Sequence, residues 1–550
     1  MLRLLGLGSA GLVASCCVTA PSIEGSRGGL TAGLLAEDPA AMFTPDSLVA
    51  IDAHAHFFNA SDLQVAGYLA GPVANEASPA IRRLLEILHP VVEQMARSFA
   101  PSTFSEWQYL EALEADVGGL SRENRLKRLD ASIIERKNQI ADELYRRLKA
   151  TNFPEVFEVE MRQGNYLIQG QGGFSRDALR ASLDYGFEEA NLFNATATFS
   201  GPDEDHPAGL LAFIGNMFHY RIQNVRIYQK AFTSPSRSVK VVAACHALVD
   251  FDYWLPGCKH PPSRLREQVL LTEKLVKATN GYIIPLVAYN PWSDLANKGA
   301  SLALVREAIT NRGFAGVKLY PPICYQPLGS GEEPLKDGWP SPNELRPRLE
   351  ALYQTCLELD VPVMAHANFS MGAEAECKSQ TSPENWFALV RNPRFTRLRI
   401  NAGHFGGNHD GDSPARLWSR EFVDVMSEAP HFYADIGNWV ELARGDVEVR
   451  DKLVRLMQVQ IGPAEFAAQR IAFGSDWFML AKKKIWPVYA DRVHQNLKTA
   501  GATGEEMQDV LQHNAIRLFG LSSATPGRNR QRLLDYYTRN DLNPEWLSLT

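Results

Sequence analysis

Leu48-Val49-Ala50-Ile51-Asp52-Ala53-His54-Ala55-His56 decides how this chain is read. An apolar run closes on two histidines two positions apart. Side chains at i and i+2 of a strand point to the same side, so two imidazoles can converge on one ion. An H-x-H alone is a weak signal, equally at home in a surface loop with hydrogen-bonded histidines. Its place at the end of a strand-like run gives it weight.

The same design recurs further along. Val361-Pro362-Val363-Met364-Ala365-His366 and Leu398-Arg399-Ile400-Asn401-Ala402-Gly403-His404 each end on histidine, and Ile471-Ala472-Phe473-Gly474-Ser475-Asp476 ends on aspartate. Marking every such run gives eight strand candidates, at 48–57, 239–248, 282–289, 316–320, 361–367, 398–404, 432–436 and 471–474. Helical periodicity fills the gaps between the later ones, at 263–279, 301–312 (stopped by Gly313) and 343–359. A final helix opens at Thr503, with Glu506 completing a capping box. Strand and helix alternating in this way predict an α/β fold, a (β/α)8 TIM barrel built from residues 48–57 and 238–520. An open doubly wound sheet with a separate helical domain is the competing architecture. Residues 58–237 read as a long, mainly helical insertion after the first strand, with helices at 81–99 and 122–148. Such an insertion is expected to cover the barrel mouth and shape substrate choice; a partner-binding or membrane-facing role is the alternative. Residues 521–550 form a C-terminal tail.

Composition fits a globular protein: 550 residues, 45% hydrophobic and 22% charged, with a net charge of −7. No basic patch calls for nucleic acid. Residues 1–20 combine one arginine, a short apolar run and small residues before a cleavage point, the pattern of a secretory signal peptide. Val13-Ala14-Ser15-Cys16 also fits a lipobox, in which Cys16 would carry a lipid anchor; a competing cut follows Ala20. The expectation is export to a bacterial cell envelope or periplasm, with the membrane touched only through that anchor. Residues 21–47 then serve as a linker and entry segment. Gly6-Leu7-Gly8-Ser9-Ala10-Gly11 matches a dinucleotide-binding pattern but lacks the flanking strands and acid that the fold requires. Of seven cysteines, five lie beyond the signal, at 245, 258, 324, 356 and 377. In an oxidising compartment some of them could pair, and spacing does not say which.

In a parallel barrel the strand ends and the loops after them form the active face. His54, His56, Lys318, His366, His404 and Asp476 all fall there. Neutral imidazole and carboxylate suit zinc or a similar divalent metal. His246, Asp250 and Asp252 near strand two, and Asn438 and Trp439 after strand seven, are candidate substrate contacts. His409, Asp410 and Asp412 sit in a Gly-rich loop that could serve as a lid.

With these motifs in view, the sequence resembles the amidohydrolase superfamily, in particular its amidohydrolase-related (amidohydrolase 2) branch. The likeness rests on Ile51-Asp52-Ala53-His54-Ala55-His56, Gly316-Val317-Lys318-Leu319-Tyr320-Pro321, the His366 and His404 strand ends, Phe473-Gly474-Ser475-Asp476, and Asn514-Ala515-Ile516-Arg517-Leu518-Phe519-Gly520. The resemblance implies that His54 and His56 bind the more buried metal. His366 and His404 would bind a second ion in a dinuclear centre; in a mononuclear one His366 stays a ligand and His404 orients water or substrate. Asp476 would bind metal and accept the proton of the attacking water. Lys318 sits where dinuclear members carry a carboxylated lysine, and Lys-Leu-Tyr-Pro is similar to dihydroorotase-like enzymes; an ordinary salt-bridged lysine is the other reading.

The implied activity is a metal-dependent hydrolase acting on an amide, ester or lactone bond of a small molecule, with one or two ions. A mononuclear metal-dependent decarboxylase of the same superfamily is the alternative. A lipid-anchored binding protein without turnover is a third reading, and a homo-oligomer is compatible with any of them. No G-x-S-x-G occurs, which argues against a serine hydrolase.

Overall fold

Eight parallel strands follow one another in chain order around a ring, in a computed structural model that describes residues 32–37, 43, 47–117, 119–168, 173–187, 199–200, 206–255, 260–409 and 413–549. The strands are β1 (Leu48–Ala55), β2 (Val239–Ala247), β3 (Ile283–Tyr289), β4 (Gly316–Leu319), β5 (Val363–Asn368), β6 (Ile400–Gly406), β7 (Phe432–Asp435) and β8 (Ile471–Ala472). Each pairs with the next in parallel. Closure of the ring comes from backbone bonds across the β8–β1 seam. Ala53 N donates to Phe473 O at 2.9 Å and Asp476 N to His54 O at 2.7 Å, and His56 N donates to Trp477 O. β1 through β7 are buried along almost their whole length, as sheets covered on both faces require. The molecule is therefore an α/β barrel of the TIM type carrying an N-terminal helical region, as the strand–helix alternation predicts.

Every strand differs from its sequence-based run by one or two residues at one end or both. β7 stops at Asp435 and β8 at Ala472, whereas the apolar runs extend to 436 and 474. Beyond those points the two segments stay joined by single backbone bonds, Ile436 N to Ala472 O at 3.1 Å and Asn438 N to Ser475 O at 3.3 Å, without a regular ladder. The predicted helices appear as Leu265–Ala278, Ala300–Asn311 and Pro342–Leu359. Thr503 caps the helix Gly504–Gln508 with the expected Glu506 box.

Residues between β1 and β2 are mainly helical, with long helices at Pro79–Ser98, Thr103–Val117 and Arg122–Leu148. A buried ionic network holds this region together internally: Arg221 binds Glu106 at 2.6 Å and also pairs with Asp62. A tie to the barrel runs through Asp52 of β1. Its carboxylate accepts from Tyr228 OH at 2.5 Å, Ser475 N at 3.0 Å and His54 N at 2.9 Å, so one group fastens the helical region to the β8–β1 seam. Residues 521–549 also fold against the barrel. Asn529 Nδ2 donates to Ala315 O and Phe519 O at 2.8 Å each, and Trp546 Nε1 to Gly281 O at 2.9 Å.

One disulfide, Cys324–Cys377, joins the turn after β4 to the turn after β5, while Cys245 and Cys356 are buried and free. The bond closes a loop spanning 53 positions. Chain entropy alone then predicts that Cys324→Ser, Cys377→Ser loses about 4 kcal/mol of stability, measured by denaturant unfolding. The signal segment 1–20 with Cys16, the Gly6–Gly11 pattern, Cys258, Asp410 and Asp412 lie outside the described residues, as does most of 21–47. Among the described residues no helix is long and apolar enough to cross a membrane.

Candidate metal centre

The polar strand ends predicted from sequence meet at one end of the ring. His54 lies on β1 and His56 just beyond it, Lys318 on β4, His366 on β5 and His404 on β6. Asp476 follows β8. All six are buried. His54 Nε2 and His56 Nε2 stand 3.2 Å apart, and Asp476 Oδ1 lies 3.5 Å from each. Ligand atoms of His54, His404 and Asp476 also fall within 4.8 Å of one another.

The other ring nitrogens set the protonation pattern. His54 Nδ1 faces Asp435 Oδ1 at 2.9 Å, His56 Nδ1 faces Ala247 O at 2.7 Å, and His404 Nδ1 faces Gly437 O at 3.0 Å. Each of these partners only accepts, so each Nδ1 carries the hydrogen and each Nε2 points inward as a bare lone pair. Two bare nitrogens 3.2 Å apart, with a carboxylate oxygen beside them, repel unless a cation lies between them. That arrangement is how proteins orient histidines toward a metal. Geometry agrees. A tetrahedral zinc site with bonds of about 2.0–2.2 Å has ligand–ligand edges of about 3.3–3.6 Å, and the His54–His56–Asp476 triangle has edges of 3.2, 3.5 and 3.5 Å.

Electrostatics points the same way. Burial pushes the imidazoles of His54, His56 and His366 well below their ordinary range, and that of His404 down to about 4, so all four are neutral at neutral pH. Burial likewise raises the Asp476 carboxyl well above the usual range. A cation in the triangle would return it to the carboxylate.

His366 and Lys318 stand differently. His366 Nδ1 lies 3.1 Å from the bare His404 Nε2 and so donates to it, and Ser370 Oγ sits 3.0 Å from His366 Nε2. Lys318 Nζ is buried with no hydrogen-bond partner, and burial lowers its pKa to about 8. An orphaned amine here does not match the salt-bridged lysine considered above; it suits a group completed by something added to the site.

Backbone geometry is specialised where the ring of ligands closes. His404 and Asp476 adopt left-handed conformations, with φ of 71° and 50°, a cost that non-glycine residues carry mainly at functional sites. Gly437 is needed because a Cβ there would stand 2.8 Å from His54 Nδ1 and 2.9 Å from Asp435 Oδ1.

Sequence reasoning missed Asp435. Its buried carboxylate takes His54 Nδ1, His404 N at 3.1 Å, Gly437 N at 2.9 Å and Asn401 Nδ2 at 2.8 Å, so it positions two of the ligands at once. The signal was present: Phe432-Tyr433-Ala434-Asp435 is another strand closing on a carboxylate.

A cavity of about 140 Å³ opens directly over the centre, and His56, His366, His404 and Asp476 form its floor. His246 and Asn438 line it. Trp439 does not: it is buried behind the site, where its Nε1 donates to His404 O at 2.9 Å and its backbone N to Tyr489 OH at 3.1 Å. That placement makes it a prop for His404. Asp250 and Asp252 are also absent from the lining; Asp252 pairs with His260 at 2.8 Å. Asn368 Oδ1 accepts from His409 Nε2 at 2.5 Å, which carries the Gly-rich loop to the edge of the cavity. Phe58, Leu63, Tyr68 and Glu76, all from the region after β1, complete the roof.

Fold and site together are those of an α/β barrel with a candidate metal centre at the ends of its strands. Residues 262–521 match the family model described as amidohydrolase. The match runs from the segment after β2 to the end of the barrel, just under half of the chain. No curated protein matches the sequence. Solved structures similar in fold include a probable 2-pyrone-4,6-dicarboxylic acid hydrolase from Acinetobacter baumannii, at 12% identity and TM-score 0.30 over 50% of this chain and 98% of that one. Others are 5-carboxyvanillate decarboxylase from Sphingomonas paucimobilis, at 15% and 0.33 over 51% and 79%, and an amidohydrolase from Burkholderia multivorans with bound zinc, at 12% and 0.32 over 51% and 83%.

Proposed function

We propose that this protein is an exported hydrolase that adds water across an amide, ester or lactone bond of a small molecule, using a divalent metal, zinc by donor type. The observation that carries the reading is the inward triangle of His54 Nε2, His56 Nε2 and Asp476 Oδ1, with edges that suit a tetrahedral ion. His54, His56 and Asp476 would hold the ion, with His404 in reach. When bound, it supplies Lewis acidity and brings the pKa of a water molecule toward 7.

The remaining work falls to the chain. Asp476 accepts the proton of the attacking water and hands it to the leaving group, with its carboxylate oxygen already at the floor of the cavity. His404, held by Gly437 O and by Asp435, exchanges the His366 hydrogen bond on its Nε2 for one that orients water or substrate. Asp435 and the Ala247 carbonyl keep His54 and His56 in the tautomer that presents Nε2 inward. His246 and Asn438 contact the substrate. His366, with Lys318 as a carbamate, would complete a second ion position; added bicarbonate should then raise the metal content from one ion toward two. Export through residues 1–20, with Cys16 as a lipid anchor, belongs to the same proposal and accords with a disulfide beside the site.

The test is turnover of a neutral ester or amide panel in water enriched in oxygen-18. One heavy oxygen is expected in the acid product. Release of carbon dioxide from a carboxylated substrate, with no heavy oxygen gained, would replace hydrolysis by decarboxylation.

A further inference from the structure

The cavity over the centre has a chemistry of its own. Its size, about 140 Å³, is close to the roughly 150 Å³ hollow that admits one benzene ring in an engineered protein core. One wall is aromatic. Phe251 stacks on Trp254 at 4.9 Å, and Tyr320 stands edge-on to Trp254 at 5.4 Å. The Tyr320 ring is also 5.3 Å from that of His366, so the apolar wall begins directly beside the ligands.

Three buried polar atoms of the lining residues have no partner: His246 Nε2, Trp254 Nε1 and Asn438 Oδ1. His246 Nδ1 accepts from Phe57 N at 3.2 Å, which leaves the hydrogen on Nε2. All three atoms belong to side chains that line the cavity, two as neutral N–H donors and one as an acceptor. Buried polar groups without partners are costly, and a ligand that supplies the missing atoms removes that cost.

Charge sets the other limit. Among the described residues, none of the cavity-lining side chains is lysine or arginine, while Asp62, Glu76 and Asp476 are present. Asp62 already pairs with Arg221, and Glu76 with Lys378 at 3.2 Å, so neither requires a cation from the ligand. A ligand carboxylate held away from the centre would be buried beside acids with no described cation to meet it.

We propose, resting on the hydrolase reading, that the substrate is a compact, uncharged molecule built on one ring. A carbonyl or ether oxygen next to the ring takes the His246 and Trp254 hydrogens, and counterparts bearing an extra ring carboxylate are refused. Stacking on Trp254 and Tyr320 supplies the contact area, and the two donors set orientation.

The experiment is calorimetry on the zinc-loaded full chain with a matched pair, benzamide and 4-carbamoylbenzoate, which differ only in a ring carboxylate. Benzamide is expected to bind at least about tenfold more tightly. Trp254→Phe, which keeps a ring but removes the N–H, should weaken benzamide about fivefold, the worth of one neutral hydrogen bond. Equal or tighter binding of 4-carbamoylbenzoate overturns the proposal, and so does binding of neither. If the binding order holds but no neutral ester or amide is hydrolysed, the hydrolase reading fails and this one stands. Hydrolysis of phenyl acetate and 4-acetoxybenzoate at equal kcat/KM would sink this inference and leave the hydrolase reading intact.

Discussion

Asp476→Asn is expected to lower kcat by about a thousandfold while the barrel stays folded. A positioned general base contributes roughly 10²–10⁴ to rate, and asparagine cannot take a proton from water. The substitution is nearly isosteric, and the backbone hydrogen bond from Asp476 N to His54 O at 2.7 Å does not involve the side chain. The left-handed backbone at 476 also tolerates asparagine well. A steady-state assay on whichever ester or amide the wild type turns over, with circular dichroism as the control for folding, checks both halves. Asparagine keeps one oxygen for the ion, so metal content should fall less than kcat. A variant that retained a tenth of wild-type kcat would mean that another group moves the proton.

Asp435→Ala should reduce metal affinity by about 10- to 100-fold, the usual effect of removing an outer partner of a ligating histidine. The aspartate makes four hydrogen bonds, and two of them go to His54 and His404. Without it His54 is free to place its hydrogen on Nε2, which turns a ligand into a donor aimed at the ion. Competition with a metal-sensitive chelator reads the affinity directly. The control is Trp439→Phe, which removes the Nε1 bond to His404 O but leaves every ring tautomer in place, and it should shift affinity far less.

These two residues also mark how far the sequence could be read. Asp476 was legible because an apolar strand ran into it, as strands ran into His54, His366 and His404. Position at a strand end is a local property, visible in one dimension. Asp435 obeys the same rule, yet Asn438 and Trp439 in the loop beyond it are rival candidates, and residue type alone does not separate lining from backing. Trp439 shows why: its burial behind His404 depends on Tyr489, fifty positions away. The roof was the least legible part. Helical periodicity in residues 58–237 announces an insertion, but that Leu63, Tyr68 and Glu76 reach the cavity is set by long-range contacts. Glu76 reaches Met371 N at 2.7 Å and Lys378, across about three hundred positions of chain. The disulfide partners were equally hidden, because the pairing of β4 with β5, not spacing, brings the turns after them together.

The account stands on imidazole lone pairs and one carboxylate being gathered for a cation, and elemental analysis of the purified protein beside His54→Ala, His56→Ala tests that most directly. At least one equivalent of a divalent ion is expected in the parent protein, and close to none in the double variant, with the far-ultraviolet spectrum unchanged. Equal metal content in the two, or none in the parent after zinc is supplied and excess removed, would contradict the account.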